Sequence, residues 1–245
     1  MEKQEMTGSV IESSAEPMTA ELLRSIMHEL TDTQTEQLKS YYDVLIETNR
    51  VMNLTRITSP RDAAEKHFAD SMLGASLIPE NARVIDVGTG AGFPGIPLKI
   101  LRPDIRLVLL DSLGKRVKFL EEACARIGIE ARAIHARAEE AARDDGLRAG
   151  FDIALSRAVA PMDLLIELTV PFLKVGGSSL MYKGAGAAEE MALCSAAQRE
   201  LNCELRTHEF DVAWGARTIV EAVKTGKTPA RYPRKAGIPQ KKPLR

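Results

Sequence analysis

Residues 84–95 read VIDVGTGAGFPG, where an apolar run ends on an acid and glycines follow at alternate positions. Gly88, Gly90 and Gly92 carry no Cβ, so the backbone can turn sharply there and come close to a bound molecule. The prolines inside and just after this stretch suit the first turn of a helix, where a missing N–H costs nothing. A strand, a glycine turn and a helix start together predict a nucleotide-type pocket.

Short apolar segments and segments of helical spacing alternate around this turn. Upstream, apolar residues recur every three or four positions over 19–30, 35–52 and 62–77, which predicts a helical unit spanning residues 18–80. The predicted strands that follow are 83–87, 106–110, 132–135, 151–155, 179–182, 205–210 and 217–223, and the predicted helices are 95–101, 115–127, 164–173 and 187–201. We therefore predict an α/β, Rossmann-like domain over 81–227, with a mostly parallel seven-stranded sheet. No helix separates the last two strands, so they should form an antiparallel hairpin.

The two ends of the chain differ in character. Residues 224–245 carry eight Lys or Arg and no acidic residue, so the rest of the chain has a net charge of −9 against −1 for the whole. Four prolines disfavour a helix here, and we expect residues 228–245 to form an extended basic tail. Such a tail on an acidic body indicates a polyanionic partner, the alternative being a solvated, frayed end. Residues 1–17 are polar, lack periodicity and are predicted to be disordered.

Several classes of protein are disfavoured by what the sequence lacks. No apolar run reaches the roughly 18–20 residues that span a bilayer, and no secretory signal follows Met1, so we expect a cytoplasmic protein. Cys124, Cys194 and Cys203 show no C-x-x-C spacing and are expected to be reduced and buried. No cluster has the spacing of metal ligands, so no metal is expected.

The glycine turn fits two kinds of ligand. Gly90, Gly92 and Gly95 match the dinucleotide fingerprint, so an NAD-dependent oxidoreductase is one alternative. Asp86, two residues before the first glycine, instead completes the D-x-G-x-G-x-G pattern of doubly wound methyltransferases. The short, proline-bounded helix and the closing hairpin agree with that pattern. We therefore favour S-adenosyl-L-methionine as the ligand.

Acidic residues follow the next two predicted strands. Asp111 ends the second strand, where a carboxylate can accept hydrogen bonds from both hydroxyls of a ribose. Its alternative role is a helix N-cap. Ala138 and Glu139 follow the third strand, where a backbone N–H and a carboxylate can bind the edge of an adenine. The first turn of a surface helix is the alternative there.

The end of the fourth strand, residues 156–158, bears on the methyl acceptor. It lacks the Asn/Asp-Pro-Pro-aromatic turn that holds an exocyclic base amine, and no cysteine is placed for attack on a base carbon. A ring nitrogen such as guanine N7 needs neither device, because its lone pair is already free and attack requires only alignment. Arg157 would then act electrostatically or hold the donor's carboxylate, unless it belongs to a structural ion pair.

Basic residues in three regions are candidates for contact with RNA. Lys66 and His67 lie on the third predicted helix and Lys183 follows the fifth strand, while the tail supplies Arg231, Arg234 and Lys235. A lone histidine on such a helix is more often structural. Lys183 could contact a phosphate or could simply be a solvated surface residue.

Several strings in this sequence resemble those of the RsmG (GidB) family of small-subunit ribosomal RNA methyltransferases. They are NLT at 53–55, KHFADS at 66–71, DVGTGAGFPGIPL at 86–98, LDSLGKRV at 110–117, SRA at 156–158 and YPRK at 232–235. The resemblance runs from about residue 35 to the C-terminus. Ala236 departs from it, since many tailed members carry proline there.

The resemblance implies a class I S-adenosylmethionine-dependent methyltransferase that modifies guanine N7 in the 530 loop, in the decoding region of 16S ribosomal RNA. It implies no catalytic general base. The donor-binding positions of the family fall on Gly88, Phe93, Asp111, Ala138, Glu139 and Arg157. The partner would be 16S RNA or the small subunit. An RNA- or ribosome-binding module with a vestigial donor pocket remains the non-enzymatic alternative.

Overall fold

The computed structural model describes residues 17–245, so the predicted disorder at residues 1–16 falls outside the described residues. The helices are α1 (Ala20–Ile26), α2 (Asp32–Met52), α3 (Pro60–Ala63), α4 (Asp70–Met72), α5 (Gly95–Leu101), α6 (Gly114–Ile127), α7 (Ala138–Ala141), α8 (Met162–Thr169), α9 (Ala187–Ala192), α10 (Ser195–Leu201) and α11 (Ile238–Lys241). A π-helical segment, Ala64–Ala69, joins α3 to α4, and single 3₁₀ turns occupy Ala75–Leu77 and Val170–Phe172. No helix in this part of the chain has the length and hydrophobicity needed to cross a membrane.

The strands form one seven-stranded sheet in the order β3-β2-β1-β4-β5-β7-β6. They are β1 (Arg83–Val87), β2 (Arg106–Asp111), β3 (Ala131–His135), β4 (Phe151–Arg157), β5 (Leu173–Lys183), β6 (Cys203–Phe210) and β7 (Arg217–Lys224). Strands β1 to β5 are parallel, while β7 runs antiparallel to both β5 and β6. The predicted sheet and its closing hairpin are confirmed. The strand order reverses between β1 and β4, the place where open α/β sheets bind their ligands.

Side chains alternate between two cores, one on each face of the sheet. Val84 of β1 points into a core that contains Leu38 and Tyr41 of α2. Ile85, its neighbour, points into the opposite core, which contains Ile166 of α8. The N-terminal helices therefore share one core with the sheet. This core also contains Ala91 and Phe93 of the glycine turn.

The structure corrects several predicted boundaries. The helix expected at 62–77 begins at Pro60, where Ser59 caps it, and becomes π-helical at Ala64–Ala69. The helix expected at 164–173 ends at Thr169 because Pro171 follows, and β5 already starts at Leu173. That strand runs through the glycine pair at 176–177 and so begins before the predicted strand at 179–182. The helix expected at 187–201 is two helices that separate after Ala192.

The expectation of a helix-free, extended tail is also wrong. Pro239 is compatible with a short helix because it stands in the first turn of α11, where its missing N–H is not needed. Tyr232 is buried against the core that contains α8. Lys224, the first residue of the basic run, is buried within β7 and donates to the carbonyls of Val170 and Leu173. The tail is thus folded back onto the domain.

Candidate functional site

The glycine turn is held in place by Asp86. One carboxylate oxygen, Oδ2, accepts hydrogen bonds from Thr89 Oγ1 at 2.7 Å and from the Gly95 N–H at 2.9 Å, which fixes both ends of the turn. Complete burial raises the pKa of Asp86 to about 6. Gly88 has a φ of +72°, and a Cβ there would lie 2.8 Å from Val159. The turn is therefore a backbone cradle that a side chain would fill.

Helix α2 closes over the same turn from the other side. Tyr41 is fully buried and its hydroxyl donates a hydrogen bond to the Ala91 carbonyl. Its ring lies 5.7 Å from the Phe68 ring and 5.5 Å from the Phe93 ring, measured between centroids. Burial raises the pKa of Tyr41 well above its usual value, so the hydroxyl keeps its proton. The N-terminal helices thus position the glycine turn.

A small cavity of about 130 Å³ lies over the carboxyl ends of β1, β2 and β3. It brings together four of the residues predicted to bind the donor, namely Gly88, Asp111, Ala138 and Glu139. Val159 and Leu168 add apolar walls that the sequence did not reveal. A cavity with two acids at its edge and apolar walls has the composition expected of an adenosine site.

Asp111 is not the N-cap of the following helix, since Leu113 takes that position. Its carboxylate is 3% exposed and accepts hydrogen bonds from the N–H groups of Gly90 at 3.0 Å and Leu113 at 2.9 Å. The glycine turn and β2 are thereby tied together by the acid that is predicted to bind the ribose. Glu139, 4% exposed, lies in the first turn of α7.

A second cavity of about 380 Å³ continues past the glycine turn towards the π-helical segment. Phe93 and Arg157, the other two predicted donor-binding residues, both line it, and Gly88 lines both cavities. The guanidinium of Arg157 lies over the Phe93 ring, and its Nη1 bonds the Asp70 carboxylate at 3.1 Å. The structure therefore brings all six predicted donor-binding residues to one edge of the sheet.

His67 belongs to the wall of this second cavity. Its ring stacks on Phe93 with the centroids 4.3 Å apart, and its Nε2 lies 2.8 Å from Thr55 Oγ1. Burial, and then the nearby charge of Arg157, lower the pKa of His67 to about 3, so the ring is neutral near pH 7. A buried neutral ring supplies no cation for an RNA phosphate, so the structural alternative stated for this histidine fits better than contact with RNA.

A third cavity of about 370 Å³ adjoins the second, and Asp70, Arg157 and Ala158 line both. Asp70 is only 6% exposed because it also accepts hydrogen bonds from Arg217 Nε at 2.6 Å and from Trp214 Nε1 at 3.4 Å. Sequence reasoning assigned no role to Arg217 or Trp214, which lie far from Asp70 along the chain. Asp70 is therefore paired with two arginines, Arg157 and Arg217.

Lys183 and Glu190 form the opposite wall of this third cavity. Lys183 Nζ donates to the Ala160 carbonyl at 3.0 Å and pairs with Glu190 Oε2 at 2.7 Å. Glu190 Oε2 also accepts the Met162 N–H at 2.7 Å. The side chain of Lys183 is 10% exposed, so it faces the cavity and is not a solvated surface residue.

The other residues predicted to contact RNA are scattered. Lys66 lines the second cavity, is partly exposed and pairs with Asp62. In the tail, Lys235 is exposed, whereas Arg231 pairs with Glu200 and Arg234 with the buried Glu167. The structure does not gather these side chains into a single surface.

Cysteine and metal chemistry find no support at this edge of the sheet. Burial raises the pKa of Cys124 to about 11 and those of Cys194 and Cys203 to about 12, so all three thiols stay protonated. None of them lines the three cavities. Within residues 17–245, no three His, Cys, Asp or Glu side chains are grouped to hold a metal ion.

The sequence is similar to a named family over most of its length. The profile of a family described as rRNA small subunit methyltransferase G matches residues 34–212. The ribosomal RNA small subunit methyltransferase G of Desulfitobacterium hafniense is 46% identical over 220 residues, which cover 88% of this chain and 92% of that protein. The protein of the same name from Alkaliphilus oremlandii is 43% identical over 223 residues, covering 89% and 93%.

Solved structures share the fold at low sequence identity. A methyltransferase from Pyrococcus furiosus matches with a TM-score of 0.52 and 11% identity, over 78% of this chain and 99% of that one. A SAM-dependent methyltransferase from Aquifex aeolicus matches with a TM-score of 0.51 and 13% identity, over 66% and 93%. The predicted Rossmann-like methyltransferase fold is confirmed.

Proposed function

The chain belongs to the rRNA small subunit methyltransferase G family, and from this premise we propose that it methylates N7 of a guanine in the 530 loop of 16S ribosomal RNA. Its methyl donor is S-adenosyl-L-methionine. The observation that carries the choice of N7 is the environment of Arg157. This residue lines both the donor cavity and a neighbouring cavity, and its guanidinium is paired there with the Asp70 carboxylate.

The donor would occupy the first two cavities. Asp111 and Glu139 would hold the ribose and adenine at the small cavity, with the Ala138 backbone beside them. Phe93 and Arg157 would hold the methionine part in the second cavity. The donor supplies a methyl group on a sulfonium.

The acceptor would enter the third cavity. A guanine N7 carries its lone pair in the ring plane and loses no proton on methylation, so a site that only aligns it is sufficient. His67, with a pKa of about 3, is a weak base, and the Asp70 carboxylate is engaged in ion pairs with Arg157 and Arg217. This environment suits a ring nitrogen, because methylation of a ring nitrogen needs no base.

Guanine has a distinctive pattern of hydrogen-bonding groups, and the third cavity offers matching partners. Lys183 can donate to O6, and the second oxygen of Glu190 can accept from N1–H and the 2-amino group. Adenine has a donor where guanine has O6 and would be rejected. Methylation at N7 makes the base cationic, which strengthens the hydrogen bonds to Glu190.

The test is methyl transfer followed by nucleoside mass spectrometry. The full chain and labelled S-adenosylmethionine would be incubated with small subunits, or with free 16S RNA, from cells that lack this enzyme. We expect 7-methylguanosine as the product, with Asp111→Asn reducing its formation and Arg126→Gln, an exposed change, leaving it as in wild type. Label on another position of guanine, or on another base, would contradict the assignment.

A further inference from the structure

The tail is fastened to the domain by a buried ion pair. Glu167 on α8 has a side chain that is 1% exposed, and Arg234 bonds it with both its side chain and its backbone. The three shortest contacts are Nη2 to Oε2 at 2.5 Å, the backbone N–H to Oε1 at 2.8 Å and Nε to Oε1 at 2.9 Å. A carboxylate with this degree of burial requires such a partner, so this part of the tail has a fixed place.

Two arginines between β3 and β4 hold the tail's backbone. Arg148 donates to the Tyr232 carbonyl at 2.9 Å, and Arg143 donates to the Pro233 carbonyl at 2.6 Å. At the end of the chain, Arg245 Nε bonds Asp163 Oδ2 at 2.8 Å. Anchors at both ends of the tail therefore place the segment between them.

That segment lies at the adenosine cavity. Gln240 of α11 lines this cavity together with Asp111, Glu139 and Val159. The Gly237 N–H points at Glu139 Oε1 from 3.4 Å, so the tail orients one oxygen of the acid predicted to bind adenine. The other oxygen, Oε2, is left for the exocyclic amine.

We infer that residues 232–245 form one wall of the adenosine site, with Gln240 and Gly237 as donor-positioning residues and the Arg234–Glu167 pair as their anchor. The inference rests on the placement of the donor given above and is independent of the acceptor. It gives the basic tail a role in binding the methyl donor. From its composition alone, the tail was expected to be an extended segment that binds a polyanionic partner.

The test is donor binding by titration calorimetry, with S-adenosylmethionine and S-adenosylhomocysteine as probes and without RNA. Gln240→Ala removes the wall side chain from an exposed position, so folding should be unaffected. We expect its Kd for both probes to rise about fivefold, as for loss of one hydrogen bond of ordinary strength. Lys242→Ala, two residues away and exposed, is the matched control and should bind as wild type does.

Weakening the buried anchor of the segment should have a larger effect. Arg234→Gln leaves Glu167 without its charged partner, and we expect a rise in Kd of tenfold or more for both probes. Because this variant is at risk of misfolding, hydrogen exchange of the wild-type protein gives a second readout. Donor binding should slow exchange of the amides at 232–241, the segment that holds both Gly237 and Gln240.

Two results would overturn the inference: an unchanged Kd for Gln240→Ala, or tail amides that exchange equally fast with and without donor. Neither depends on which base is methylated, since RNA is absent. A wild-type protein that binds donor tightly but makes a product other than 7-methylguanosine would refute only the proposed acceptor.

Discussion

The guanidinium carbon of Arg157 lies 4.9 Å from the centre of the Phe93 ring. Phe93 ends the glycine turn and Arg157 ends β4, so this contact spans the point where the strand order of the sheet reverses. Arg157 also reaches the π-helical segment, donating to the carbonyls of Lys66 at 3.3 Å and His67 at 3.4 Å. One side chain thus connects the glycine turn, the sheet and the N-terminal helices.

Arg157→Lys should impair both donor binding and methyl transfer. Lysine keeps the charge but cannot cover the Phe93 ring while also reaching Asp70. Loss of charge-assisted hydrogen bonds costs about 1.5–3 kcal/mol, so we expect kcat/KM to fall by about 10- to 100-fold. Steady-state methyl transfer would measure this. Arg126→Lys, in an exposed pair with Glu47, is the control, and equal activity of both variants would refute the role given to Arg157.

Tyr41→Phe should loosen the glycine turn. The Ala91 carbonyl loses its buried donor, which costs about 1–3 kcal/mol, and we expect both lower stability and weaker donor binding. Tyr42→Phe provides the comparison, since the Tyr42 hydroxyl bonds the Thr58 carbonyl, away from the turn. It should lower the free energy of unfolding while leaving the donor Kd unchanged. If both variants bind donor equally well, Tyr41 does not position the turn.

His67 predicts a pH dependence of stability. Its pKa of about 3 in the folded protein lies below the ordinary value of 6.5, so only the unfolded chain takes up the proton between these pH values. The contribution of His67 to stability is therefore complete above pH 6.5 and is lost as the pH falls towards 3. Urea unfolding at a series of pH values would reveal this.

His67→Gln is the variant that isolates this effect. It should lose less stability than the wild type between pH 6.5 and pH 4, since glutamine does not titrate. His28→Gln is the matched control at a residue that is not buried, and its profile should follow that of the wild type. Parallel profiles for His67→Gln and the wild type would show that the imidazole titrates normally in the folded protein.

Lys235 and Arg231 should differ in their contribution to RNA binding. Lys235 is exposed, whereas Arg231 is paired with Glu200 at 2.5 Å. If Lys235 contacts a phosphate, Lys235→Ala should weaken binding and make the slope of log K against log[salt] less steep by about 1. Arg231→Ala should change the slope less. Filter binding to 16S RNA over a range of salt concentrations would measure both, and an unchanged slope for Lys235→Ala would remove it from the interface.

The position of the residues proposed to bind the donor was predictable from the sequence because their signals are local. Asp86 and Asp111 lie at or near the ends of β1 and β2, while the glycines and Glu139 follow β1 and β3 closely. Parallel strands bring those ends to one edge. The fingerprint at Gly90–Gly95 fitted a nicotinamide enzyme as well. The names of the relatives resolve that choice in favour of a methyltransferase.

The parts of the site that could not be predicted depend on pairs of residues that are distant in the chain. Asp70 and Arg217 come into contact because β7 lies beside β5 in the sheet. The sequence around either residue gives no indication of this pairing. Arg234 likewise forms an ion pair with Glu167, which is distant from it in the sequence. The composition of the proline-rich basic tail is typical of an extended arm free in solvent. That the tail packs against the domain is shown by its ion pair with the buried Glu167. The π-helical segment, which turns His67 inward, has no clear sequence signature either.

The central claim is tested most directly in 16S RNA isolated from cells with and without this protein. The 530-loop fragment would be excised and its nucleosides separated by mass spectrometry, with an add-back strain that expresses the full chain. We predict that 7-methylguanosine is present in the wild-type and add-back fragments and absent from the deletion strain. Equal 7-methylguanosine in all three strains would contradict the account.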